Sequence, residues 1–290
     1  MDANADARKD TPGATVAGIL NYVAPDSLIN RRFVFPGDEV NTGRFEPHRV
    51  TIANARTATP RPTLDSHGFE LFRHRSRLTD FRDHGAIDAL YPAEVAAEIA
   101  ARTGADLVVP MGYVLRSAAD TSAGEAQPPA ADVHVDLSPK TAPRLARMMF
   151  QKAGPPGGFY RRFLATSLWR ASSDPPQDWP LALCDGTSIA PEEGVPNQLV
   201  RVAARPDPAA MAGEIPNEDE LPAALIFRYA PHHRWYYFPD MNRDEIVVLK
   251  LHDSDHSRTW FAPHTAFHDA GRRGARTRQS IEFRTLAFFY

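Results

Sequence analysis

DEIVVLKLHDSDHSRTWFAPHTAFHDAGRRGARTRQSIEFRTLAFFY, residues 244–290, is the stretch on which the fold turns. It opens on a strand, Ile246 to Leu251, and passes through a turn to a short strand at His264 to Phe267. Fourteen residues after His264 comes Arg278-Gln279-Ser280, which begins a final apolar strand ending at Phe289. Upstream the pattern repeats, with strands expected at Arg162 to Ala171, Leu181 to Cys184, Gln198 to Ala203, Ala223 to Tyr229 and Arg234 to Phe238. Eight or so short strands after a mixed N-terminal region predict a mainly β fold with flanking helices, a jelly-roll or cupin-like barrel.

Two helices are expected beside it. One runs from Pro92, placed in the first turn, to Arg102, with Gly104 able to end it. The other starts with Ser138 as N-cap and Pro139 at the first helical position and runs to about Lys152. A strand is expected from Asp106 to Leu115. The stretch 117–130 is small, polar and proline-bearing and reads as a loop, as does the acidic stretch 205–222. Residues 1–13 read as a disordered tail. Residues 14–290 then form one domain, a mixed part to about 116 and a β core from about 131.

Composition narrows the function. The chain has 290 residues, 43% hydrophobic and 24% charged, with net charge −3 and both signs interspersed. No basic field favours nucleic acid, and no polybasic tail or long apolar run favours a membrane. No secretory signal is visible, so a cytoplasmic location is expected. The single cysteine, Cys184, excludes an intrachain disulfide and a cysteine-based zinc site. A metal must sit on His, Asp or Glu. No G-x-S-x-G elbow, Walker loop or G-x-G-x-x-G is present.

The candidate site starts at ADVHVDLS, residues 131–138. His134 and Asp136 are two apart in a strand and share a face, while Val133, Val135 and Leu137 point the other way. A histidine and a carboxylate side by side are two-thirds of a facial triad for Fe(II), which needs one more histidine. The C-terminal stretch offers His264 as that third ligand. It also offers Arg278, with Ser280 beside it, to hold the far carboxylate of 2-oxoglutarate in a planar, charge-assisted fork. Tyr236 and Arg170 are further candidate contacts to the cosubstrate. His233 is the rival third ligand. His252 and His256, in HDSDH, fall in a predicted turn and read as a solvated loop, and His268 reads as lying beyond the strand. Cys184 reads as a buried structural residue.

At these residues the chain resembles the CmcJ/NvfI/AsaB-like oxidoreductases. The matching stretches are LDSHGFELFRHRSRLTDF (64–81), TGADLVV (103–109), HVDLS (134–138), SLWRA (167–171), PLALCD (180–185), HRWYYFPDMNRDEIVVLKLHDS (233–254), PHTAF (263–267) and RQSIEFR (278–284). The resemblance covers nearly the whole chain after the tail. It implies a double-stranded β-helix, dependence on Fe(II) and 2-oxoglutarate, and hydroxylation or desaturation of a small secondary-metabolite substrate with O2. It carries the iron ligands onto His134 and Asp136 of HVD, and onto His264 of PHTAF, with Arg278 of RQS as the cosubstrate arginine. The family also has a histidine at the His233 position. Where the family has Asn and Pro around its Trp-Arg pair, this chain has Ser167 and Ala171. The competing readings are a cupin-like metalloenzyme that does not use 2-oxoglutarate and a non-catalytic small-molecule-binding β-barrel. A homodimer is compatible with the 205–222 loop and the aromatic strands.

Overall fold

The segment Arg162–Ala171 is buried along nearly its whole length, so it must be covered on both faces. Phe163, Ala165, Trp169 and Ala171 join one apolar cluster, and Leu164 and Leu168 another. That period-two split marks a strand in the middle of three layers.

The computed structural model describes residues 13–119 and 126–290. In chain order the elements are β1 (Thr15–Val23), β2 (Arg31–Phe35), β3 (Asp38–Asn41), β4 (Phe45–Asn54), β5 (Phe69–Arg73), α1 (His84–Thr103), β6 (Leu107–Ser117), β7 (His134–Val135) and α2 (Thr141–Ala153). They continue as β8 (Arg162–Ala171), β9 (Leu181–Cys184), β10 (Gly194–Arg201), α3 (Pro208–Ala212), β11 (Ala223–Phe227), β12 (Trp235–Tyr237), β13 (Glu245–Asp253), β14 (His264–Ala266) and β15 (Gln279–Phe289).

A ten-stranded sheet has the order β1-β4-β12-β9-β14-β7-β11-β10-β2-β3, and a five-stranded sheet the order β5-β13-β8-β15-β6. Strands from before residue 118 take the outer positions of both sheets, and the middle is built from residues after 133. The larger apolar cluster draws on both sheets, with Leu183 and Phe227 from one and Trp169, Leu249 and Phe288 from the other. The smaller cluster joins the outer face of the five-stranded sheet to Ile87, Tyr91, Val95 and Ile99 of α1. This is the mainly β jelly-roll with flanking helices that the strand pattern predicts. Among the described residues, no helix is long and apolar enough to cross a membrane.

Helix α1 corrects its expected start. Asp83 is the N-cap, its carboxylate accepting from the Ala86 N–H at 3.0 Å, and Pro92 lies inside the helix. An interior proline costs about 3 kcal/mol. The stripe Ile87, Tyr91, Val95 and Ile99 repeats every four residues and is fully buried, which offsets that cost. Gly104, at φ 70°, ends the helix in the left-handed region as expected. Helix α2 begins at Thr141, two residues after Pro139. Ser138 still caps the turn, its hydroxyl accepting from the Thr141 N–H at 3.2 Å. The stretch 205–222 holds only the short α3 and a single 3-10 turn. Of the tail read at residues 1–13 only Gly13 is described, and of the loop read at 117–130 residues 120–125 lie outside the described residues.

Candidate metal centre

Strand β7 is two residues long and runs between β11 and β14. His134 stands directly opposite His264 of β14, with the two imidazole centroids 4.5 Å apart. Asp136, two residues on, keeps the same side, and its Oδ1 lies 3.8 Å from His134 Nε2. One ligand atom from each of His134, Asp136 and His264 falls within 4.8 Å of the others. Each histidine is anchored through its other nitrogen. His134 Nδ1 lies 2.7 Å from the Asp132 carbonyl and His264 Nδ1 lies 3.1 Å from the Ala262 carbonyl. Donation of Nδ1–H to those carbonyls leaves both Nε2 lone pairs for an ion.

Charge follows the same logic. Burial, reinforced by His134 nearby, pushes the His264 imidazole down to about 4, so it is neutral near pH 7. Burial alone would raise the pKa of Asp136, but Arg284, then the two imidazoles and Arg116, hold it well below the usual carboxylate range. Arg284 of β15 reaches across from the facing sheet to Asp136 Oδ1 at 3.1 Å and to Glu282 at 2.7 Å. Asp136 Oδ2 is buried and has no hydrogen-bond partner among the described residues. Two imidazoles and one carboxylate, with a buried oxygen to spare, fit a divalent first-row metal better than Mg2+ or Ca2+.

The facing wall comes from the five-stranded sheet. A small cavity opens on His134 and His264 and is walled by Arg116, Ser167, Trp169, Leu249, Arg278 and Glu282. Arg278 is 1% exposed, and its Nε and Nη2 find no acceptor among the described residues. The Asp178 carboxylate accepts from its backbone N–H at 2.8 Å, and its guanidinium carbon lies 5.7 Å from the centre of the Trp169 ring. Burial, then Arg116, lowers its pKa to about 9, which still leaves it charged at neutral pH. The hydroxyls of Ser280 and Ser167 are also buried without partners among the described residues. A charged fork and two hydroxyls left unpaired in an enclosed space are costly unless a polar ligand answers them.

The other candidates lie elsewhere. Arg170 is a correction. It follows Trp169 on β8 and so faces the opposite layer, where it bonds the Tyr91 hydroxyl, His74 and the Arg243 carbonyl. Tyr236 packs its ring on His67 and Phe69, two strands away from His264, and does not line the cavity. His233 bonds Glu193, away from the His134 group. His252 is buried and stacked on Phe163 rather than solvated, and His256 stacks on Trp260. His268 packs against Trp179. Sequence reasoning missed Arg116, Glu282 and Arg284. For the last two the signal was present: carrying the period of two onward from Arg278 and Ser280 reaches Glu282 and Arg284 on the same face.

Comparison with known proteins places this geometry. Residues 20–288 match the family model described as an oxidoreductase/YMDC permease-like domain. The Fe(II)/2-oxoglutarate-dependent dioxygenase nvfI of Aspergillus novofumigatus is 29% identical over 281 residues, covering 92% of this chain and 94% of the relative. The hydroxylase/desaturase CTB9 of Cercospora beticola is 30% identical over 276 residues, covering 87% and 82%. A solved structure of the iron and alpha-ketoglutarate-dependent endoperoxidase NvfI superposes with a TM-score of 0.77 at 27% identity, covering 95% of this chain and 98% of that one. By the extent of these matches the chain belongs to the oxidoreductase/YMDC permease-like family, among the CmcJ/NvfI/AsaB-like oxidoreductases.

Proposed function

We propose that this protein is an Fe(II)- and 2-oxoglutarate-dependent dioxygenase that oxidises an unactivated C–H bond of a small secondary-metabolite substrate by hydroxylation or desaturation. His134, Asp136 and His264 hold the iron, and Arg278 with Ser280 holds the far carboxylate of 2-oxoglutarate. The observation that carries the reading is Arg278: a buried, charged guanidinium with two N–H-bearing nitrogens unanswered, facing a His-Asp-His cluster across one cavity. A cupin-like metal site that used no dicarboxylate would have no use for that fork, and a non-catalytic barrel would have no use for the cluster opposite it.

Bound together, iron and 2-oxoglutarate supply, with O2, an oxidant able to remove hydrogen from an unactivated carbon. The chain's own contribution is positional. Arg278 fixes one end of the cosubstrate by a charge-assisted pair, Ser280 adds a donor, and the distance to the histidines sets where the other end lies. Leu181 and Leu249, with Trp169, make the cavity wall apolar beside the polar cluster, so a hydrocarbon portion of the substrate is favoured there and water is not. Arg284 holds the carboxylate of Asp136 in place.

Arg278→Ala tests the reading. Removing one member of a buried charge-assisted pair costs about 2 kcal/mol or more, so the 2-oxoglutarate requirement should rise roughly 30-fold or more. Anaerobic titration with Fe(II) and 2-oxoglutarate gives a second readout, a weak visible charge-transfer band that needs both. The wild type should show the band and the variant should need far more cosubstrate to reach it. An unchanged requirement in Arg278→Ala would remove Arg278 from the assignment. No band in the wild type would remove 2-oxoglutarate.

A further inference from the structure

A second set of ligand atoms lies on the other flank of β11. Strand β7, with His134, pairs on one side of β11, and β10 pairs on the other. Just before β10, in the 3-10 turn Pro191–Glu193, Glu193 meets two consecutive histidines from the turn that precedes β12. His232 Nε2 lies 3.0 Å from Glu193 Oε1, and His233 Nε2 lies 2.9 Å from Glu193 Oε2. One ligand atom from each of the three lies within 4.8 Å of the others, and none belongs to the first centre.

Glu193 and His233 are each held from behind. The Glu193 carboxylate accepts the Ala190 N–H at 2.7 Å. His233, whose side chain is 1% exposed, stacks on Tyr22 at 5.6 Å between ring centres, and its Nδ1 lies 3.1 Å from the Tyr22 hydroxyl. Trp235 Nε1–H donates to that same hydroxyl oxygen at 2.7 Å. With an ion in place of the Nε2 proton that faces Glu193, His233 Nδ1–H would donate to the Tyr22 oxygen and keep the ring oriented, an arrangement that supports histidine as a metal ligand. His232, in contrast, has a side chain 57% exposed and opens the cluster to solvent.

A simple hydrogen-bonded group does not need this convergence. An imidazole more than half in water gains little by fixing itself on a carboxylate that already accepts an N–H from Ala190 and has a second histidine against it. Two imidazole nitrogens and a carboxylate within 4.8 Å of one another, with access on one side, form a site for a divalent transition ion. We propose that Glu193, His232 and His233 bind a Zn2+-class cation, with water completing the coordination. Imidazole and carboxylate without thiolate suit such an ion. Bound there, it would tie the turn before β12 to the turn before β10.

The test is zinc stoichiometry by equilibrium dialysis on the metal-free full chain. The wild type, His134→Ala, His232→Ala and the double variant are compared. His232 is exposed, so its replacement leaves the core untouched. The expected result is that His134→Ala still binds about one zinc per chain, that the double variant binds none, and that zinc raises the thermal midpoint of His134→Ala but not of the double variant. His232→Ala should keep O2-dependent succinate formation, since it shares nothing with the first centre. If His134→Ala and the double variant bind the same amount of zinc, the second site does not exist. Failure of the iron assignment would show separately, as a wild type and a His134→Ala variant that bind zinc equally while the double variant still loses it.

Discussion

His264 is where the chemistry of single residues is most exposed to test. Its imidazole is buried and its pKa falls from the ordinary 6.5 to about 4. The metal-free folded state therefore resists a proton that the unfolded chain accepts below 6.5. Stability is full above that pH and is lost as pH falls from about 6.5 towards 4. Thermal midpoints of the metal-free protein across that range should decline, and His264→Gln should flatten the decline. Arg284 gives a second prediction. Replacing it with Met leaves the Asp136 carboxylate without its closest cation. The Arg284 side chain is 31% exposed, which keeps the expected loss at about 2 kcal/mol, below that of a fully buried pair. Denaturant midpoints of the metal-free variant check this, and added Fe(II) should restore part of the loss. These residues differed in legibility. His134, Asp136, His264 and Arg278 stood out because their types and spacing match a chemical need. Arg170 misled because its sequence neighbour Trp169 does line the cavity, and a strand's alternation sends the next side chain away from it.

At the level of elements, most strands of the β core were legible nearly to their ends, although β10 begins at Gly194, ahead of the expected Gln198. Arg162–Ala171 and Leu181–Cys184 fall as expected, since runs of apolar residues bounded by turn chemistry leave little choice. Helix α1 was half read, because a proline taken as a starting point sits inside a helix already begun at Asp83. Asp83→Ala should remove the cap and cost about 1 kcal/mol, visible as a lower denaturant midpoint with an unchanged slope. The expected strand about HVD shrinks to the two residues of β7, and the backbone around it bonds two different strands. The Val133 N–H bonds the Asn21 carbonyl of β1, and the Ser138 N–H bonds the Ala223 carbonyl of β11. No local pattern announces partners more than eighty residues away.

Across the whole molecule, the sheet order brings residues distant in sequence to one point. β9, β14, β7 and β11 are neighbours although they begin at residues 181, 264, 134 and 223. The jelly-roll class was readable from strand number and spacing, whereas this order was not, because it is set by which faces can be buried together. The one ion pair described here that crosses from sheet to sheet at the cavity, Arg284 to Asp136, has a further meaning. The guanidinium occupies the carboxylate as a placeholder does a chair, so the sandwich keeps its spacing whether or not a cation has arrived. Loading then requires sharing a charge rather than rebuilding a wall. A centre organised this way takes up and surrenders its ion without the two sheets coming apart, and a mild chelator should empty it while leaving the far-ultraviolet circular dichroism of the protein unchanged.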